Sequence, residues 1–166
     1  MLSGTKLSQS QAADIPLRQL AHVGDAVFHL FVREKEVLTA SSAKEMHKRT
    51  AGVVSYKGQA KALHMLTDAL RDEERDLVRR ARNMKPAAYR RSEQALYRKA
   101  TAFEALLGYL YLTDMERLNE LLQLVNAPRS EKNGENGDGK IDRNSDGNTE
   151  NSEISEDNEE DEAENG

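Results

Sequence analysis

Two fourteen-residue stretches, each almost wholly apolar and each holding a single carboxylate, constrain the fold of this chain more than any other feature. The first, QLAHVGDAVFHLFV, lies between Arg18 and Arg33 and has Asp25 as its acid. The second, ATAFEALLGYLYLT, lies between Lys99 and Asp114 and has Glu104. Around the first, Leu17, Leu20, Gly24, Val27 and Phe31 follow the 3, 4, 3, 4 spacing of one helical face, and Pro16 stands where a first helical turn accepts proline. Helices this apolar belong at the centre of a domain. An acid desolvated there without compensation costs on the order of several kcal/mol, or raises its pKa until it neutralises.

Compensation can come from a basic side chain or from capping a neighbouring helix, which is the ordinary fate of a lone mid-helix acid. A second route is open here. Asp25 is flanked by Gly24 and Ala26, and Glu104 is followed by Ala105 and Gly108, so the two helices carry small residues where backbones can approach closely. Packed at those points, they bring two carboxylates into one pocket. Such a pair asks for a cation between its members. Hard oxygen ligands, without Cys or a paired His set, suit Mg²⁺ or Mn²⁺.

The remaining sequence reads as all-α, with helices over roughly 16–38, from a Ser42/Glu45 capping box to a break at Gly52-Val53-Val54, and from Ser55 to about Leu66. Asp72-Glu73-Glu74 opens another, ending near Asn83. Ser92 opens a long helix through Leu112, and Thr113 with Glu116 caps a last one ending near Asn126. Met84–Arg91, containing Pro86, is expected to be a loop. From Ala127 the composition turns abruptly to Asn, Gly, Ser, Asp and Glu, which buries too little apolar surface to offset ordering entropy. The expected organisation is therefore one folded domain over 1–127 and a disordered acidic tail over 128–166. Charge divides the same way: residues 129–166 hold four basic and fourteen acidic groups, net -10, leaving +5 on residues 1–128 of a chain whose total is -5.

The absence of Cys excludes disulfides, thiolate metal sites, iron–sulfur clusters and a cysteine nucleophile. No stretch reaches the ~18 apolar residues of a membrane span, and the N-terminus lacks a signal-peptide core, so no membrane association and a cytoplasmic location are expected.

LAHVGDAVFHLFVR, from Leu20 to Arg33, resembles the signature helix of ribonuclease III, built on a Gly-Asp-Ala/Ser-Val run, and ATAFEALLGYLYL, from Ala100 to Leu112, resembles that family's second acidic helix. With no room for a double-stranded-RNA-binding domain, the chain resembles the minimal, stand-alone Mini-III branch over most of residues 14–126. The resemblance implies an all-α ribonuclease III-like catalytic domain that hydrolyses phosphodiester bonds of double-stranded RNA, leaving 5'-phosphate and 3'-hydroxyl ends. It further implies Asp25 and Glu104 as catalytic residues and ligands of Mg²⁺, with Mn²⁺ as a substitute, a homodimer, and a large-subunit (23S-type) ribosomal RNA precursor as substrate. Phe28, Phe31 and the outer face of the first long helix are the candidate dimer interface. The pattern also departs from the family's. Ala21 and Arg18 stand where the ribonuclease III signature has glutamates, and Thr101 stands where its second helix has an aspartate. Water and phosphate oxygens must then complete the coordination sphere around Asp25 and Glu104.

Between Arg75 and Lys99 the chain carries nine basic residues and two acids. Most charge runs are solvated faces, but this one is one-sided and rich in Arg, which pairs bidentately with phosphate. Arg79, Arg80, Arg82, Lys85, Arg90 and Arg91 are the candidate RNA-binding residues, suited to a duplex read through phosphates and 2'-hydroxyls. Ser55, Tyr56, Lys57 and Gln59 form a polar helix start that offers further contacts to RNA. Residues 142–153 satisfy an EF-hand expression without flanking amphipathic helices, a chance match in a tail of this composition. His22, His29, His47 and His64 make no ligand set, with His22 and His29 expected to pack or face RNA. Tyr109 and Tyr111 read as core or interface aromatics. The acidic tail either competes with RNA for the basic face or aids solubility. The competing class is a catalytically inactive RNA-binding or ribosome-associated protein of the same fold, which would have no reason to keep both acids. A helical DNA-binding regulator lacks support, because no helix-turn-helix spacing is present.

Overall fold

A computed structural model of the chain describes residues 6–84 and 93–126, all within one compact unit, and in them every regular element is a helix. In chain order these are α1 (Gln9–Ala13), α2 (Leu17–Val37), α3 (Ala43–Val54), α4 (Tyr56–Leu66), α5 (Asp72–Arg82), α6 (Gln94–Thr113) and α7 (Met115–Asn126). The centre is α6, the most apolar of them, against which α2, α4, α5, α7 and α1 all pack. The expected loop over Met84–Arg91, apart from Met84, and the expected disordered tail over 128–166 lie outside the described residues.

Glycine sets how α2 meets α6. A Cβ built on Gly24 would lie 1.7 Å from the carbonyl oxygen of Glu104, and one on Gly108 would lie 1.9 Å from the carbonyl oxygen of Leu20. Backbone therefore rests on backbone at this crossing, as the small residues Gly24 and Gly108 predict, while Ala26 is exposed. One turn past Gly24, Phe28 meets Phe103, the residue before Glu104, edge-on, centroids 4.9 Å apart at 89°, with Leu20, Leu106, Leu107 and Leu121 fully buried around the same core. Such a ring pair contributes about 1 kcal/mol beyond its area burial. The interface assignment for Phe28 is thereby corrected: its side chain is 1% exposed and belongs to the core. Phe31, part-buried against the same core, lies beneath the Lys35 ammonium, 5.6 Å from its ring centroid.

Three boundaries differ from the sequence reading. Gly52, Val53 and Val54 do not interrupt α3, which runs to Val54; the break is Ser55 alone, whose extended backbone ends α3 and whose hydroxyl accepts the Gly58 N–H that opens α4. The cap of α7 is Asp114, which accepts the Arg117 N–H at 3.0 Å, whereas Thr113 is the last residue of α6 and donates to the Tyr109 carbonyl. The short α1 was not anticipated. Ser8 and Gln11 close a capping box around its start, and the Leu7 N–H donates to the Leu112 carbonyl at 2.8 Å, tying this segment to the end of α6.

One buried ion pair joins α5 to α7. Glu74, 4% exposed, accepts from Arg117 Nε at 2.9 Å and from its Nη2 at 3.0 Å, and from the Arg71 N–H at 2.8 Å, while the same guanidinium donates to the Ala69 carbonyl. Burial alone would raise the Glu74 pKa. The Arg117 hydrogen bonds, the Arg71 N–H and the guanidinium charge outweigh it and hold the carboxyl below its ordinary value.

Candidate active site

Asp25 leaves the middle of α2 and Glu104 the middle of α6 on the same side of the glycine crossing. Both line one cavity of about 450 Å³. Around the two acids, α2 supplies Arg18, Ala21 and His22, the α3–α4 junction Val54, Tyr56 and Gln59, α5 and its end Ala81 and Met84, and α6 Tyr97, Arg98, Ala100 and Thr101. Ala21 and Thr101 line the cavity beside the acid pair and add no charge to it.

The electrostatics follow from this crowding. Burial pushes the Glu104 carboxyl up to about 7, the neighbouring Asp25 charge pushes in the same direction, and the Gln59 side chain opposes both. Asp25 is more open, its side chain 46% exposed; its Oδ1 accepts from Gln59 Nε2 at 3.0 Å and lies 3.4 Å from His29 Nε2. Tyr56 and Tyr97 stack across the wall, centroids 4.2 Å apart at 13°, and the Tyr56 hydroxyl donates to Glu93 at 2.9 Å.

A divalent cation fits this donor set. Two carboxylates converge in one pocket, and one is held near neutrality by burial and its partner's charge, a penalty that a cation removes. Among the described residues no cluster of three or more His, Cys, Asp and Glu forms a metal cage. Two carboxylates with water and phosphate completing the shell is a common arrangement for Mg²⁺, which gives up its waters reluctantly.

Linkage makes the Glu104 shift testable in the metal-free protein. The folded state binds this proton more tightly than the unfolded chain, so the destabilising contribution is absent below the ordinary value of 4.5, grows as pH rises, and is complete above about 7. The metal-free Tm is expected to fall across that window, and Glu104→Gln to remove that part of the slope. A mutant with the same pH slope as the wild type would contradict the assignment.

Of the candidate RNA-binding residues, Arg79, Arg80 and Arg82 do not line the cavity. Arg79 and Arg80 pair with Asp76 on the exposed face of α5, and Arg80 lines a separate cavity of about 420 Å³ with Gln9, Asp76 and Tyr109. Arg82 is exposed near the end of α5, and Lys85, Arg90 and Arg91 lie outside the described residues. Among the described residues, the guanidinium groups lining the cavity beside the acids are Arg18 and Arg98; Arg98 lies in the basic run from Arg75 to Lys99 but outside the six candidate RNA-binding residues. Of the polar helix start, Gln59 does not face outward: it is 2% exposed and turned onto Asp25. His22 borders the cavity and His29 touches the Asp25 carboxylate, a contact that their seven-residue spacing alone did not separate.

Two central helices crossing on glycine, each presenting one acid to a shared pocket, define a class, and comparison with known proteins agrees. Residues 18–115 match the Ribonuclease III domain. The chain belongs to the ribonuclease III family and carries its endoribonuclease domain. Within that family it is similar to the Mini-ribonuclease 3 of Synechocystis sp., 40% identical over 127 residues that cover 73% of this chain and 89% of that protein. It is also similar to the Mini-ribonuclease 3 of Thermoanaerobacter sp., 45% identical over 108 residues, 63% of this chain and 76% of the other. A crystal structure of a Fusobacterium nucleatum protein superposes with a TM-score of 0.58 at 26% identity, covering 68% of this chain and 90% of that one. No helix among the described residues is long and apolar enough to cross a membrane.

Proposed function

We propose that this protein cleaves double-stranded RNA by divalent-cation-dependent phosphodiester hydrolysis, acting as a cytoplasmic homodimer in the maturation of a large-subunit ribosomal RNA precursor. The observation that carries the reading is the convergence of Asp25 and Glu104 in a single cavity whose rim also holds Arg18 and Arg98. Asp25 and Glu104 hold Mg²⁺, or Mn²⁺ in its place. When bound, the cation neutralises the acid pair and supplies charge stabilisation and water activation at the scissile phosphate.

The chain's own groups do the rest. Arg18 and Arg98 meet phosphate oxygens beside the acids, where a guanidinium offers paired donors. Arg79, Arg80, Arg82, Lys85, Arg90 and Arg91 contribute positive charge that holds the duplex backbone, a sequence-independent attraction that weakens with salt. Tyr56 and Tyr97 wall the cavity with a rigid stack. The folded domain over 1–127 carries all of these groups, and the tail over 128–166 carries none of them. A homodimer suits the reaction because two sites related by a two-fold axis can reach both strands of a duplex.

The test is incubation of the purified protein with long double-stranded RNA, with and without Mg²⁺, and inspection of product lengths and ends on a gel. Discrete products with 5'-phosphate ends, formed with Mg²⁺ and not in chelator, are expected. Duplex binding without any cleavage would favour the inactive RNA-binding alternative.

A further inference from the structure

The side chain that most directly governs the acid pair is not an acid. Gln59 sits in the first turn of α4, on a different element from either carboxylate, and its amide nitrogen donates to Asp25 Oδ1 at 3.0 Å while the same side chain favours the charged form of Glu104. It is 2% exposed, so its position is set by the protein and not by water.

The register that aims it is also fixed. Ser55 caps α4 through the Gly58 N–H, and a Cβ built on Gly58 would lie 2.2 Å from the Val53 carbonyl oxygen, so the start of α4 is wedged against the end of α3 with no room to slide. Beyond Gln59, Ala60, Leu63 and Leu66 are buried, which locks the helix rotation. Gln59 is therefore presented to the acids by packing on both sides of it.

We infer that Gln59 is the positioning residue of the metal site: its amide fixes the rotamer of Asp25 and holds the two carboxylates ready for a divalent cation. This rests on the proposed function above. An amide has two N–H donors and no charge, so it can steady two carboxylates without competing with the cation as an ammonium would. Groups that orient a metal ligand in this way typically account for 10–100-fold in metal affinity or activity. With Ala21, Arg18 and Thr101 at the three positions where the family pattern has further acids, more of the orientation falls on this one contact.

The experiment uses the full chain and Gln59→Leu, which preserves bulk in a buried position while removing the donor. Calorimetric titration with Mn²⁺ in the absence of RNA is expected to show affinity weakened by roughly tenfold or more. At subsaturating Mg²⁺ kcat is expected to fall by a similar factor and to recover partly with excess cation, while metal-free duplex binding and Tm stay at wild-type values. If Gln59→Leu does not fold, Gln59→Met is measured in its place. Unchanged Mn²⁺ affinity with unchanged kcat overturns the inference, as does a kcat loss matched by an equal loss of folded protein. A wild-type protein that binds Mn²⁺ but cleaves no duplex overturns the proposed function and leaves the Mn²⁺ comparison decisive for Gln59. A wild-type protein that binds no Mn²⁺ overturns both.

Discussion

Asp25→Asn and Glu104→Gln should each reduce cleavage of double-stranded RNA by roughly a thousandfold or more while leaving duplex binding intact. Both changes are nearly isosteric and remove one carboxylate from a cavity that holds two. Neither should cost stability. Removing the Asp25 charge relieves the repulsion that helps to push Glu104 up, and Glu104→Gln removes a buried acid whose ionised form is disfavoured, so the metal-free Tm should be unchanged or higher. Because the acids act as a unit, the double mutant should lose little more than either single one. Single-turnover rates on a fixed duplex check this. Losses that multiply would place the acids in separate sites, and wild-type rates in either mutant would end the metal-ligand assignment.

Gly108→Ala carries a large expected effect on stability, as any side chain at this helix crossing does. The added methyl would meet the Leu20 carbonyl at 1.9 Å and the Gly24 nitrogen at 3.0 Å, both of them backbone atoms that cannot rotate away as a side chain can. Either α2 and α6 separate or one of them bends. Overpacking of this kind sits at the upper end of its usual range, on the order of 3 kcal/mol or more, and should lower Tm by roughly 10 °C. The helices that separate are those carrying Asp25 and Glu104, so activity should fall further than the folded fraction alone requires. Thermal denaturation and specific activity measured on the same preparation check both parts. A Gly108→Ala protein with wild-type Tm would mean that the crossing is looser than described.

These two helices were also the most legible part of the chain. Their apolar spacing, their single acids and their small residues are local signals, and Gly24 against Glu104 and Gly108 against Leu20 is what such signals imply once two long helices must share a core. Gln59 had no comparable signature, since in YKGQAKAL it looks like any polar residue near a helix start. Only the long-range packing of α4 on α6 turns it inward. Arg18 and Arg98 are hard to read from sequence for a related reason: charge density marks the whole run from Arg75 to Lys99, Arg98 included, without singling out a member and leaves out Arg18, whereas what selects a basic residue for the site is which face of α2 or α6 it occupies. Phe28 and Phe31 carry the same signal in sequence, two rings on one helix, yet Phe28 faces Phe103 in the core and Phe31 is only part-buried against it. The capping box at Ser8 and Gln11 was readable but short, and a five-residue helix gains its stability from the Leu7–Leu112 contact and the burial of Ala12, not from propensity.

The Glu74–Arg117 pair has a practical consequence when set beside Glu104. Glu74 is held below its ordinary pKa, so its contribution is present above the usual carboxylate range and is lost as acid titrates it. Glu104 works in the opposite sense, being easiest to accommodate while it keeps its proton. Two glutamates of one small domain thus pull the pH optimum from opposite sides, one guarding the α5–α7 joint against acid and the other penalising the empty site in base. A metal-free preparation should store best in a mildly acidic buffer, at about pH 5 to 6. Adding the cation discharges the second penalty and moves the optimum toward neutrality, so buffer screening with and without Mg²⁺ becomes an inexpensive assay for an occupied site.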